Sequence, residues 1–582
     1  MDITIKINGF EVTAPRGTTI LQAARMAHID IPTLCYMKEI NEIGACRLCV
    51  VEAKEGPRPA KLVAACVYPI SNGMEVVTNS PKVIAARKTN LELLLSNHNR
   101  SCLSCVRSGR CELQTLCREY GVTDEGRFDG VKTPSEIDYS ATHLVRDNSK
   151  CILCRRCVAV CEKHQDVAVI GANERGFKTN IGSAFDMGLG ETSCVACGQC
   201  INVCPTGALT EVDHTAKVWA ALNDPETTVL VQTAPAVRAQ LGESFGMPIG
   251  TDVEGKMVAA LRRLGFDKVF DTDFAADLTI MEGAHEFLDR VQNGGTLPLI
   301  TSCSPGWIKY CEHFFPDMLD NLSSCKSPMQ MFGATAKTYY AKKNGLDPKK
   351  MFVVSIMPCT AKKFEMGRDG QNAAGVADVD AVLTTRELAR MIKVAGLNFD
   401  MLPDEKFDHI MGDSTGAAVI FGATGGVMEA ALRTAVETLT GETLEKVDFE
   451  QVRGMEGIKE ASFDVAGMTV NVCVTSGLAN AKKVLEAVKS GEKNYHFIEV
   501  MACPGGCIDG GGQPIHDYQT QAFTDIKGLR AAALYRNDAA KTIRKSHENP
   551  EIKMVYDEFF GKPGSHLAHE ILHTHYVKRD RF

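Results

Sequence analysis

The chain has 582 residues, too many for one hydrophobic core, so several domains are expected. With 45% hydrophobic and 23% charged residues it reads as folded rather than disordered, and 64 Lys+Arg against 72 Asp+Glu (net −8) lacks the basic excess of a nucleic-acid binder. No apolar run reaches the length of a membrane span, and Met1–Ile7 alternates like a strand rather than a signal peptide, so a cytoplasmic location is expected.

Cysteine decides the class. There are 23, of which sixteen lie between Cys35 and Cys204. A disulfide framework is not expected in the cytosol, and clusters at short spacing point to metal.

Residues 1–79 form the first predicted domain. Ile3–Ile7 and Phe10–Thr13 make a hairpin around Asn8-Gly9, and Thr18/Thr19 cap a helix through Leu21–Ala27. Cys35, Cys46, Cys49 and Cys66 follow. Four thiolates suit zinc or an iron–sulfur cluster. The hairpin–helix plan resembles a plant-type ferredoxin of the β-grasp kind, which implies [2Fe–2S]. The ten-residue first gap resembles the ferredoxin domain that opens the iron–sulfur subunit of respiratory complex I.

Residues 80–125 are predicted as a second, small domain, with an amphipathic helix over Val83–Leu95. His98, Cys102, Cys105 and Cys111 follow it in a His-x3-Cys-x2-Cys-x5-Cys pattern. A neutral imidazole and three thiolates can hold a cluster, and the imidazole raises its potential. The same complex I subunit has these four residues at this spacing. Cys117 is left over as a core residue.

Residues 140–210 carry Cys151, Cys154, Cys157 and Cys161, then Cys194, Cys197, Cys200 and Cys204 before Pro205. This resembles the bacterial two-cluster ferredoxin repeat, whose fourth cysteine in each run serves the other cluster. The expected sets are Cys151, Cys154, Cys157 and Cys204 for one [4Fe–4S], and Cys194, Cys197, Cys200 and Cys161 for the second. The first run ends on Glu162 instead of proline, and the runs lie about thirty residues apart.

Residues 211–582 alternate buried strands (Thr228–Gln232, Lys268–Phe270, Met351–Ile356) with helices (Lys256–Leu264, Thr385–Ala395), which predicts α/β with parallel sheets. No dinucleotide or phosphate-loop motif is present, so no flavin or nicotinamide site is expected here. Gly422–Gly426 reads as a tight loop packed near something buried. Three cysteine loops remain, around Cys303, around Cys359, and around Cys503 and Cys507. They predict one more cluster, with Gly505, Gly506 and Gly510–Gly512 letting backbone approach it closely. Cys311, Cys325 and Cys473 are spare and expected in the core.

These three loops resemble the three signatures of the iron-only ([FeFe]) hydrogenases, and the upstream motifs match that family's many-cluster form. Arg544–Pro550 (RKSHENP) and Leu572–Tyr576 (LHTHY) make it most similar to the catalytic subunit of NAD(P)-linked, often electron-bifurcating, members. The resemblance implies a multidomain α+β chain ending in a two-lobed H-cluster domain. The H-cluster is a [4Fe–4S] cube joined to a two-iron unit with CO, cyanide and a bridging dithiolate. Cys359, Cys503 and Cys507 are the implied cube ligands, with Cys507 bridging. Lys362 would hydrogen-bond a cyanide. Met357, Met501 and Phe421 would wall the site, and Ala234-Pro235 and Ser327-Pro328 resemble the loops around the cyanides. The implied chemistry is heterolytic H2 splitting, with protons passing through Cys303, Ser323, Glu286 and Arg290 and electrons leaving along one [2Fe–2S] and three [4Fe–4S] clusters.

Two positions depart from the family pattern. Ser304 stands where the fourth cube ligand is a cysteine, so the cube would use a serine alkoxide, use a slipped Cys303, or lose an iron. Gly283 stands where the proton path has a glutamate, so water, Glu282 or His285 would bridge. The departures keep a low-activity H2 sensor and a non-catalytic electron-transfer or assembly relative as alternatives. A complex I-like carrier does not explain the C-terminal loops. Implied partners are a flavin-containing NAD(P)H-oxidising subunit with a small [2Fe–2S] subunit, ferredoxin and maturation proteins, hence a hetero-oligomer, with no nucleic acid and no membrane.

Overall fold

The computed structural model describes every residue except 1, 125, 130, 131, 133–135, 445, 466 and 582. At the N-terminus, Asp2–Ile7 and Phe10–Pro15 pair across Asn8-Gly9, both at positive φ as a tight hairpin turn requires. Glu75–Val77, Val50–Lys54 and Lys61–Ala64 complete a five-stranded sheet. Helix Ile20–Met26 packs on it through Ile20 and Leu21. Thr19 and Gln22 form a reciprocal capping box, of the kind that contributes about 1 kcal/mol.

Helix Pro81–Ser96 is capped by Ser80 and buries Leu91 with Leu34, Leu113 and Leu116, so the first two cysteine regions share a core. It starts two residues before the predicted Val83–Leu95 and ends one after it, because Ser80-Pro81 is a ready-made helix start. Arg156 and Glu112, both almost fully buried, pair at 3.2 Å and join the second region to the third. Leu144–Asp147 and Leu209–Glu211 run antiparallel and close the two-run unit at its base.

The remainder is built on two four-stranded sheets. In the first, Lys268–Asp271, Thr228–Thr233, Met351–Met357 and Ala381–Thr384 are all parallel, as their uninterrupted apolar runs predict. In the second, Leu299–Ile300, Phe497–Met501 and Met468–Ser476 are parallel, and Ile458–Val465 pairs antiparallel at the edge. The sequence reading did not anticipate this edge hairpin. Each of the three cysteine loops leaves the carboxyl end of one of these strands. The carboxyl ends of parallel strands are where α/β folds open their binding crevices.

The C-terminal stretch wraps this core. Asn549 donates to buried Asp277 at 2.9 Å, Asp538 pairs with Arg433 at 2.9 Å, and Lys326 N–H donates to the Leu572 carbonyl at 2.8 Å. Among the described residues no helix is long and apolar enough to cross a membrane.

Candidate active site and cluster sites

Cys35, Cys46, Cys49 and Cys66 come together as a buried group, with the Cys35 thiol facing Cys46 and Cys66, and Cys49 facing Cys66. His98 is buried, and its Nδ1 has no hydrogen-bond partner among the described residues. Desolvation lowers its pKa to about 4, so the ring is neutral, the form a metal takes. Cys102, Cys105 and Cys111 stand on the turn and helix start that follow, and the Cys105 sulfur lies 2.7 Å from where a Cβ on Gly207 would be. A side chain at 207 would displace it.

The eight cysteines of the third region sort into two sets. Cys151, Cys154, Cys157 and Cys204 line one small cavity together. Cys161 lies instead beside Cys194 and Cys197. Cys204 thus lies with the first run and Cys161 beside the second. Corresponding residues of the two runs share a left-handed backbone, Leu153 and Arg155 (φ 54° and 60°) and Ala196 and Gly198 (φ 60° and 68°). A left-handed arginine costs about 1 kcal/mol without compensation. Such turns aim backbone N–H groups at an anionic centre, and Leu153 N–H reaches the Cys151 sulfur at 3.4 Å.

The second set abuts the main cavity. Gly198 lies against Thr360 and Gly511 so closely that a Cβ would meet Thr360 Oγ1 at 2.2 Å, and Thr360 donates to the Ala196 carbonyl at 2.8 Å. Cys197 is itself part of the cavity wall. The cavity is almost entirely apolar and is lined by Cys359, Cys503, Cys507, Met357, Met501 and Phe421. Ala234, Pro235, Pro328, Met329, Lys362, Cys303 and Ser304 are also in the wall. Desolvation pushes the Cys303 and Cys507 thiols up to about 12, each with a neighbouring cysteine adding to the shift. Five thiols, three thioethers and one ammonium around an apolar void fit an iron–sulfur centre with soft and anionic ligands.

Lys362 donates to Glu365 at 2.7 Å and to the Cys303 carbonyl at 3.2 Å. Ser327 does not line the cavity. Its hydroxyl is turned to Glu365, 3.1 Å away, so it steadies the carboxylate that holds Lys362. Ser304 Oγ accepts the Ala502 N–H at 3.2 Å on the cavity wall. Gly422–Gly426 packs as a tight loop on the third cysteine loop, where Thr424 N–H donates to the Gly505 carbonyl at 3.0 Å.

Behind Cys303 a second cavity of about 60 Å³ opens beside Gly283, whose missing side chain faces open space. Ser323 lies on its far wall and donates to Glu286 at 2.6 Å, and Glu286 accepts from Arg290 at 2.7 Å. Neither neighbour offered as a bridge reaches this cavity. Glu282 is turned away, accepting from Tyr556 and from Gly564 N–H at 3.0 Å with His573 at 3.1 Å. His285 is exposed and packs against Gly564. On a helix, positions one and two residues from 283 point to other faces. Cys311 and Cys473 are buried core residues as expected. Cys325 is buried in the core as well, and it also lines the second cavity, with its sulfur 3.8 Å from Glu286.

Comparison with known proteins follows the same divisions. Residues 227–511 match the iron only hydrogenase large subunit, C-terminal domain, and 524–579 the iron hydrogenase small subunit. Residues 1–81 match a 2Fe-2S iron–sulfur cluster binding domain. Residues 87–125 match the NADH-ubiquinone oxidoreductase-G iron–sulfur binding region, and 150–208 a 4Fe-4S dicluster domain. The chain is 52% identical to the NADP-reducing hydrogenase subunit HndD of Solidesulfovibrio fructosivorans, over 100% of this chain and 99% of that protein. It is 46% identical to iron hydrogenase 1 of Clostridium pasteurianum, over 99% and 100%. A solved [FeFe]-hydrogenase HydA1 from Chlamydomonas reinhardtii superposes with TM-score 0.57 at 42% identity, over 63% of this chain and all of that one. With its cysteine loops gathered on one apolar cavity at the end of a chain of iron–sulfur domains, the chain belongs to the iron-only hydrogenase family and is a hydrogenase that relays electrons through those domains.

Proposed function

We propose that the chain interconverts H2 with protons and electrons at an H-cluster held by Cys359, Cys503 and Cys507, with Ser304 in the fourth position. The accessory sets are read as one [2Fe–2S] (Cys35, Cys46, Cys49, Cys66) and three [4Fe–4S] clusters, in domains spanning 1–79, 80–125 and 140–210 ahead of an H-cluster domain at 211–582. The observation that carries this reading is the gathering of Cys303, Lys362, Met357, Met501 and the three thiols on one cavity that Cys197 also lines.

When bound, the H-cluster supplies the site where H2 is split and the electrons are taken up. The chain's own residues do the rest. Met357, Met501 and Phe421 exclude water, which strengthens every charge interaction inside. Lys362, fixed by Glu365, presents an ammonium to anionic ligands. Cys303 holds a proton at the cavity edge, and the Ser323–Glu286–Arg290 chain leads from the second cavity toward the surface. Pyridine-nucleotide chemistry is assigned to a flavin-containing partner with a small [2Fe–2S] subunit, because a relative is named as an NADP-reducing hydrogenase subunit and this chain has no phosphate-cradling motif. Ferredoxin is the alternative electron partner, and the complex would work in the cytoplasm. Lys362, Met357, Met501 and the thiols of Cys359, Cys503 and Cys507 favour the enzyme over a non-catalytic relative.

Anaerobically matured protein should show CO and cyanide infrared bands and H2-dependent dye reduction. Cys303→Ala should keep the bands and lose turnover by roughly 10²–10⁴-fold. Absence of bands after maturation would overturn the assignment.

A further inference from the structure

The second cavity lies where the proton route needs a carrier, and Gly283 supplies none. Two thiols face this void, Cys303 at one side and Cys325 at the other, with Ser323 beside Cys325. Cys325 is about 1% exposed. Its S–H points at Glu286 Oε2 at 3.8 Å, and its N–H donates to Ser323 Oγ at 3.3 Å. It is therefore bonded to both members of the chain that leads outward. A space of about 60 Å³ holds a water, and the water would have polar partners in Cys303, Cys325 and Ser323. Most of the remaining lining, such as Phe287 and Val472, is apolar, and the hydroxyls of Thr279, Thr301 and Ser302 are bonded to backbone groups, which directs any water to this edge.

We propose that Cys325 is a second thiol relay which, with one water in the Gly283 cavity, carries protons between Cys303 and Glu286. The inference rests on the reading of Cys303 and Glu286 as members of the proton route. In the outward direction the S–H bond of Cys325 breaks as an O–H bond forms on Glu286. Cys325 is re-protonated by the water, and the water by Cys303. One proton moves and no electron does: Cys325 and the water return to their starting form, Cys303 is re-protonated from the main cavity, and Glu286 gives its proton up on the Arg290 side toward solvent. Burial, with Glu286 adding to it, keeps Cys325 a thiol well above the ordinary range, so it rests with a proton to give. Handing on in concert avoids a bare buried thiolate.

The test compares Cys325→Ala and Cys325→Ser in the full matured chain, each alone and with Gly283→Glu. Cys325→Ala should lower turnover at least tenfold and enlarge the solvent hydrogen/deuterium isotope effect, with CO and cyanide bands intact. Cys325→Ser, which keeps a hydroxyl, should retain more. Gly283→Glu should restore the alanine variant, because a carboxylate in the cavity bypasses Cys325. In the chain without maturation, the infrared S–H stretch assigned by Cys325→Ala should shift when Glu286 becomes glutamine. Unchanged turnover and isotope effect in Cys325→Ala, while Glu286→Gln is inactive, would overturn the relay and leave the route standing. If Cys303→Ala and Glu286→Gln also keep full turnover, the route itself is wrong. A loss that comes with lost iron, and that neither serine nor Gly283→Glu repairs, would assign Cys325 to packing and overturn the proposal.

Discussion

Lys362 is held from two sides, by the Cys303 carbonyl and by Glu365, which also receives the Ser327 hydroxyl. Replacing it with methionine preserves volume but leaves Glu365 buried and unpaired, a defect of about 3–5 kcal/mol. Lys362→Met should lower the denaturation midpoint even before maturation, and lose the cyanide infrared bands after it. His98 is a different case, because a neutral ring replaces a thiolate anion. His98→Cys adds a negative charge at that cluster and should lower its potential by on the order of 100 mV, read by EPR redox titration. His98 was legible because its cysteines follow closely in the chain, and Lys362 because it stands in a signature loop beside Cys359. Cys325 was not. Its partner Glu286 is 39 residues away, and only the packing of helix Thr272–Asn293 against the loop after Asn321 brings them together.

Helix Thr272–Asn293 places the proton route, since Gly283, Glu286 and Arg290 lie along one side of it. Its N-terminus is anchored by Arg238, which donates to Asp271 at 2.7 Å and pairs with Asp273 at 3.0 Å, all three fully buried. Arg238→Met removes the only cation within hydrogen-bond reach of both carboxylates among the described residues, and should cost about 3–5 kcal/mol by urea denaturation. Apolar runs and glycine stops made the parallel strands and the helix ending at Gly265 readable in advance. The edge hairpin Ile458–Ser476 was not readable, because its outer strand mixes polar and apolar residues and its pairing is settled by the neighbouring strand.

At the scale of the whole molecule, cysteine spacing announced the accessory domains one after another. It could not show how they stack, which depends on buried contacts such as Arg156–Glu112 and on Asn41, whose amide donates to the Cys154 carbonyl at 2.9 Å. Nor could spacing bring the loops at 303, 359 and 503–507 together. Their meeting follows from two parallel sheets presenting carboxyl ends to one crevice.

The glycine contact of Gly198 with Gly511 separates two kinds of event. Gly511 has no room for a methyl group, since its Cβ would lie 2.4 Å from the Cys197 carbonyl. Gly511→Ala must push the Cys197 loop away, and electron tunnelling weakens exponentially with added distance. Exchange of H2 with deuterated solvent requires no electron to leave the cavity, whereas dye reduction requires one to cross this seam. The variant should therefore keep isotope exchange while dye reduction falls, and equal losses in both would show that the seam is not where current is throttled. Two missing side chains, on this account, are what let a gas-handling chamber and a conductor behave as a single circuit.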